Sequence, residues 1–209
     1  MKKMKNLLVS LCVMTGMIFG AAIADAKVVL EDIKLPEPNV TGGMPIMEAF
    51  KNRHSSTKFT SKKEIPLQVL SDMLWAADGI NRPDGKRTAP SALNAQVITI
   101  YAALDDGIYK YDPKMHNLVG FSKEDIRPIV GTKAPLILLY VANLSRQSKA
   151  LASVDCGFIG QNVYLFSAAN GLNTIFLYGV NSSALNYKLE LKLGEEVLFA
   201  QVVGYGSDK

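Results

Sequence analysis

From Gln147 to Asn170 the only charged residues are Lys149 and Asp155, and Gly171 follows as a stop. A stretch of this length and composition is a helix, not a strand. It carries small residues at Ala150, Ala152, Gly157, Gly160, Ala168 and Ala169, so other backbones can come close to it. So apolar a helix is expected to be buried nearly all round, in the centre of a domain or in a subunit interface. Just ahead of it, Pro135 leads into Leu136–Val141, a continuous apolar run of strand length. That run reads as a central strand covered on both faces.

The remaining elements arrange themselves around this pair. Val97–Leu104 reads as a strand, and Ile108–Tyr111 and Asn117–Val119 flank Asp112-Pro113 as a hairpin. Leu172–Leu177 and Val197–Tyr205 read as two more strands, with a helix over Ser182–Leu191 between them. Pro45 opens a helix whose expected apolar face is Ile46, Met47 and Phe50, and Pro66 opens a second with Leu67, Leu70, Met73, Leu74 and Ala77 on one stripe, closed by Gly79. Ser122-Lys123-Glu124-Asp125 suggests a short Ser-capped helix. Strands interleaved with helices predict an α+β fold, a central mostly antiparallel or mixed sheet covered by helices.

The first 26 residues stand apart. Lys2, Lys3 and Lys5 form a basic start, Leu7–Phe19 an apolar core, and Ala22-Ile23-Ala24 or Ala24-Asp25-Ala26 a small-x-small cleavage site. This is the pattern of a secretory signal, and its apolar run, broken by Ser10, Thr15, Gly16 and Gly20, is too short to span a bilayer. Export, to a periplasm, and release from the membrane after cleavage are the expectation. Cleavage lowers the formal charge from +4 to +1, or to +2 if Asp25 also leaves. A nearly neutral mature chain gives no reason to expect nucleic acid as a partner. Residues 27–43, with Pro36, Pro38 and Gly42-Gly43, read as an extended N-terminal arm of the kind that often lies on a partner, and 44–209 as one domain.

Protein-borne chemistry is hard to find in this chain. His54 and His116 have no Ser, Cys or metal partner at a useful spacing, and Cys156, the only cysteine left after cleavage, reads as a buried inert thiol. No Gly-rich dinucleotide loop follows a strand. Two polar segments remain. Arg53-His54-Ser55-Ser56-Thr57-Lys58 ends the first helix with a guanidinium, an imidazole, hydroxyls and an ammonium, which suit a phosphate and a polyol. Arg53 equally suits a helix C-terminal cation, and His54 a cap. The loop Arg87–Gln96 is small, polar and turn-rich, with room for something flat to lie near the main chain.

Together these segments resemble the nitroreductase family of flavin mononucleotide (FMN) enzymes. The likeness runs from Pro45 to Tyr205 and is carried also by Leu74–Arg82, Pro90-Ser91-x-x-Asn94-x-Gln96, Gly160-Gln161-Asn162, Gly171-Leu172 and Val203-Gly204-Tyr205. It is closest to the branch holding the dehydrogenase domains of thiazole- and oxazole-forming peptide synthetases. The resemblance implies a homodimer with two FMN sites at the subunit interface, formed in part by the long helix. It assigns Arg53 to the FMN phosphate, His54 and Ser55 to the phosphate and ribityl or ring edge, and Pro90, Ser91 and Asn94 to the isoalloxazine. Thr57 and Gly179 fall in segments that also line the cofactor, but Thr57 stands where the family usually carries a second cation, and Leu177-Tyr178-Gly179 replaces a segment often polar or cationic. The family's basic C-terminal extension is also not seen before Lys209. The implied function is FMN-dependent oxidoreduction of a small molecule, with a redox partner as a possible electron source. The departures suggest a second reading, an interaction protein that keeps the dimeric fold without turnover.

Overall fold

The computed structural model describes residues 30–132 and 134–206, so the secretory pattern at the N-terminus lies outside the described residues. In chain order the elements are β1 (Ile33–Lys34), α1 (Ile46–Asn52), α2 (Leu67–Asp78), β2 (Ile98–Ala103), β3 (Ile108–Asp112), β4 (Asn117–Ser122), β5 (Leu136–Asn143), α3 (Lys149–Ala169), β6 (Asn173–Leu177), α4 (Ser182–Lys188) and β7 (Glu195–Gly204). Strands pair in the order β1-β4-β3-β2-β5-β7-β6, every pair antiparallel. The expected α+β sheet covered by helices is the fold observed.

β5 lies inside the sheet between β2 and β7, and Leu136 to Ala142 are all buried. Because side chains alternate across a strand, Leu136, Leu138, Tyr140 and Ala142 join the core beneath α2 and α3, with Met73, Leu74, Cys156 and Val163. Ile137, Leu139 and Val141 join the opposite core with Leu185 and Leu189 from the α4 region. A strand buried on both faces has no reason to alternate polar with apolar, which is why the sequence shows an unbroken run.

α3 departs from the expectation of burial all round. Ala152, Asp155, Cys156, Ile159, Gly160, Val163 and Ser167 face the chain's own core, while Leu151, Val154 and Phe158 are 39%, 50% and 42% exposed. Ser148 caps its start by accepting from Leu151 N–H, and Gly171, at φ +66°, lets Leu172 N–H reach back to Ser167 O at 2.9 Å as the chain leaves the helix.

Two further expectations are corrected, and the arm has anchors within its own chain. The supposed apolar face of α1 is open, with Ile46, Met47 and Phe50 half or more exposed, because α1 packs on α3 through the small Ala49. Residues 122–125 are not helical: Ser122 ends β4, and the helical turn comes later as a 3-10 segment at Arg127–Val130, its start fixed by Asp125 accepting from Arg127 N–H. The arm lies on its own chain. β1 pairs with β4 through Ile33↔Leu118, Asn39 N–H donates to Asp72 at 2.8 Å, and Ser71 Oγ donates to Pro36 O at 2.5 Å.

Candidate functional site

α3 carries a polar segment at each end of its buried face. Near its C-terminal end stands Tyr164. The Arg53 guanidinium lies over the Tyr164 ring, 5.4 Å from its centroid, and the Tyr164 hydroxyl meets Ser55 Oγ at 2.8 Å while accepting from Phe176 N–H at 2.9 Å. The chain after α1 then runs beside the edge strand β6, with Ser56 N–H donating to Thr174 O at 3.0 Å and the Asn173 amide donating to Ser56 Oγ and Lys58 O. Anchored this way, the segment leaves Arg53, His54, Ser55 and Thr57 exposed. His54 donates from Nδ1 to Asn52 O at 2.9 Å, the helix-end cap that its position allows. Arg53 has no acidic partner among the described residues, so its remaining donors are free for an anion.

Near the N-terminal end of α3 stands Asp155, 1% exposed. Its carboxylate accepts from Ser91 Oγ–H at 2.9 Å and from Ala92 N–H at 2.8 Å, which fixes the loop that follows Pro90. Ser91 Oγ also accepts from Gln96 N–H at 2.8 Å, so this hydroxyl is occupied within the protein, while Pro90 and Asn94 are exposed. Three non-glycine residues of the loop, Leu93, Asn94 and Gln96, have left-handed backbones at φ 56°, 53° and 46°. Leu93 is 88% exposed in that costly conformation. Such strain persists only where neighbours over-determine it, and it concentrates at sites of function.

Tyr164 and Asp155 are nine residues apart on one helix, which separates the two segments by about 13 Å along its axis. A cavity of about 210 Å³ beside the loop is lined by Arg82, Lys86, Arg87, Pro90, Ser91 and Asn94, but not by Arg53 or Ser55. Gly179 is exposed in the turn between β6 and α4. One chain therefore brings Arg53, His54, Ser55 and Thr57 together, and Pro90, Ser91 and Asn94 together, without joining the two groups in that cavity. Between them runs the open face of α3.

Beneath the loop, Arg87 donates from Nη1 to Asp78 Oδ2. Burial pushes the Asp78 carboxyl up to about 7, against the pull of Arg87, and Asp155 pushes the same way as burial. Arg87 is thus committed to Asp78, not to a phosphate beside Arg53. Burial, with Asp155 and Asp78 adding to it, raises Cys156, which is wholly inaccessible and matches its reading as an inert thiol. The two supporting residues sequence reasoning missed are Asp155 and Tyr164. Asp155 had a signal, as the one acid in an otherwise acid-free helix, whereas Tyr164 had none.

The Nitroreductase family model matches residues 50–205. A crystal structure of a nitroreductase-type protein from Ralstonia eutropha superposes with TM-score 0.82 at 35% identity, covering 86% of this chain and 91% of that one. A chain of the E. coli microcin synthetase McbBCD complex shares the fold at TM-score 0.66 and 16% identity, covering 83% of this chain and 78% of its own. The NADPH:FMN oxidoreductase of Vibrio harveyi does so at TM-score 0.58 and 18% identity, with coverages of 78% and 69%. The chain belongs to the nitroreductase family, a family of oxidoreductases.

Proposed function

We propose that the chain is an exported, FMN-dependent oxidoreductase that works as a homodimer, each flavin held by residues of both chains. The observation that carries this reading is the placement of two polar segments at Asp155 and Tyr164 of one helix, whose outer face leaves Leu151, Val154 and Phe158 exposed. A second copy laid across that face by a two-fold axis sets the Pro90–Asn94 loop of one chain against the Arg53–Thr57 segment of the other. Two half-sites become two whole ones, and the open apolar face is covered.

In this arrangement Arg53 holds the FMN phosphate as a charge-assisted donor, steadied by the Tyr164 ring, with Ser55, His54 and Thr57 beside it. Thr57 in place of a second cation removes one charge-assisted contact, about 1.5 to 3 kcal/mol of phosphate binding. Pro90 and Asn94 present a flat edge and an amide to the ring, while Ser91, tied to Asp155, positions both. Gly179, exposed in the turn after β6, completes the residues that the family likeness assigns to the cofactor. Bound FMN supplies hydride acceptance and donation, and the protein contributes position and electrostatics. This division of labour fits a chain whose described residues offer no acid, base and nucleophile set of their own. The substrate class is a small conjugated or nitroaromatic acceptor, or a molecule to be dehydrogenated. An exported enzyme meets little nicotinamide cofactor, so its electrons come from the substrate or from a docking redox partner.

Complementation tests the shared site. Arg53→Ala and Asn94→Ala homodimers should each bind FMN weakly, and subunit exchange between them should restore tight sites, since one site of the mixed dimer is intact. Weak binding that persists after exchange would place both residues in one chain's site and overturn the shared arrangement. Rapid, saturable bleaching of the FMN-loaded protein by NADH or NADPH would overturn the assignment of the electron source.

A further inference from the structure

β2 and β3 pair only from Tyr101↔Lys110 to Ala103↔Ile108. Beyond that point β3 continues to Asp112 and β2 begins at Ile98, but the two strands no longer bond. The fork between them opens a cavity of about 340 Å³, at the small end of the range for small-molecule sites. Asp78, Arg87, Tyr111 and Asp112 line it, with Ile98, Ile100 and Lys110.

We propose that this fork is a second binding site, adjoining the loop cavity at Arg87, that takes a small monocarboxylate with an apolar body. Lys110 supplies one cation and Arg87, paired with Asp78, a second, while Asp112 turns Oδ1 to the amides of Lys114 and Met115. Arg87 Nε is buried and has no hydrogen-bond partner among the described residues, so Arg87 is not fully satisfied by Asp78. Lys110 is exposed at the mouth and makes no ion pair among the described residues. Ile98 and Ile100, both buried, form an apolar wall for the ligand's body. Tyr111 gives its hydroxyl to His116 Nδ1 at 3.0 Å, which leaves the two cations as the donors for a carboxylate.

Asp78 makes the site proton-linked. Its carboxyl stands near pH 7, held down only by Arg87. A carboxylate that shares Arg87 weakens that hold, so Asp78 takes up a proton as the ligand binds, and affinity rises as pH falls. The other ionisable groups around Asp78 are Asp155 and Cys156 from α3, Tyr111 from β3 and Tyr140 from β5. Burial raises the thiol and both phenols, so these three stay neutral from pH 6 to 8. His116, behind Tyr111, is lowered by burial, and its part is separated by substitution at Asp78.

Titration calorimetry of the full-length protein with benzoate, in buffers of different ionisation enthalpy, tests the proposal. Binding should weaken about tenfold from pH 6 to pH 8 and should take up protons from the buffer. Lys110→Met should weaken it about tenfold with an unchanged melting temperature, and Asp78→Asn should abolish the pH dependence. No benzoate binding at millimolar concentration and pH 6 would overturn the proposal. So would equal affinity for benzyl alcohol, binding that ignores pH, or unchanged affinity in the folded Lys110→Met variant.

Discussion

Asp155 on α3 accepts the Ser91 hydroxyl at 2.9 Å and the Ala92 amide at 2.8 Å, so one buried carboxylate holds a loop whose next two residues have left-handed backbones. Removing it leaves two donors unpaired and the strained loop without its restraint. Asp155→Ala is expected to cost about 2 to 4 kcal/mol in denaturant unfolding and to lower FMN affinity as the loop relaxes. Asp155→Asn retains an acceptor for one of the two donors and should cost less on both measures. Equal stability of the alanine variant and the wild type would mean the loop holds itself.

Arg53 and Asn94 are exposed and carry little of the fold. Arg53→Ala and Asn94→Ala should each leave stability within about 0.5 kcal/mol of the wild type. Flavin fluorescence titration should show each lowering FMN affinity by about tenfold or more. Unchanged affinity in both variants would remove the two segments from the cofactor site.

His116 ties the arm to the body of the protein. Ser71 Oγ donates to Pro36 O at 2.5 Å and so accepts from His116 Nε2–H at 2.7 Å, while Tyr111 donates to Nδ1. This chain of donors needs a neutral ring. Burial lowers the folded pKa below the ordinary 6.5, against the pull of Glu37 and Asp72, so the neutral ring adds stability above pH 6.5 that is lost as pH falls through the folded value. Hydrogen exchange at residues 30–39, corrected for intrinsic rate, should quicken on the acid side of pH 6.5, and His116→Gln should flatten that response. Exchange that ignores pH in the wild type would show that the arm is held by β1 and Asn39 alone.

The open face of α3 predicts self-association. Light scattering on the mature chain should give a dimer at micromolar concentration. Phe158→Arg or Val154→Arg, both on exposed positions, should give a folded monomer that has lost tight FMN binding. A wild-type monomer that still binds FMN tightly would contradict shared sites.

The fold was largely legible because its strongest signals are periodic. β5 and α3 stand out by composition, and the paired strands around them follow from alternation and turn residues. The arm's attachment was not legible, since β1 is only two residues long and its hold comes from scattered contacts with Asp72, Ser71 and β4. α1 misled because Ile46, Met47 and Phe50 have the spacing of a buried face, yet the small Ala49 decides which side packs. In the candidate site, Arg53 and Pro90-Ser91-Asn94 were visible as local polar segments. Asp155 and Tyr164, which position them, act from 64 and 109 residues away in sequence, a relation that no local pattern encodes.

The most direct test of the central claim is an FMN titration of the purified mature protein, followed by visible absorption during anaerobic reduction and reoxidation. The account predicts saturation at one FMN per chain, bleaching by a reductant and recovery of the flavin spectrum on adding a nitroaromatic acceptor. A folded protein that stays colourless with excess FMN would contradict it and leave an interaction protein with the same fold.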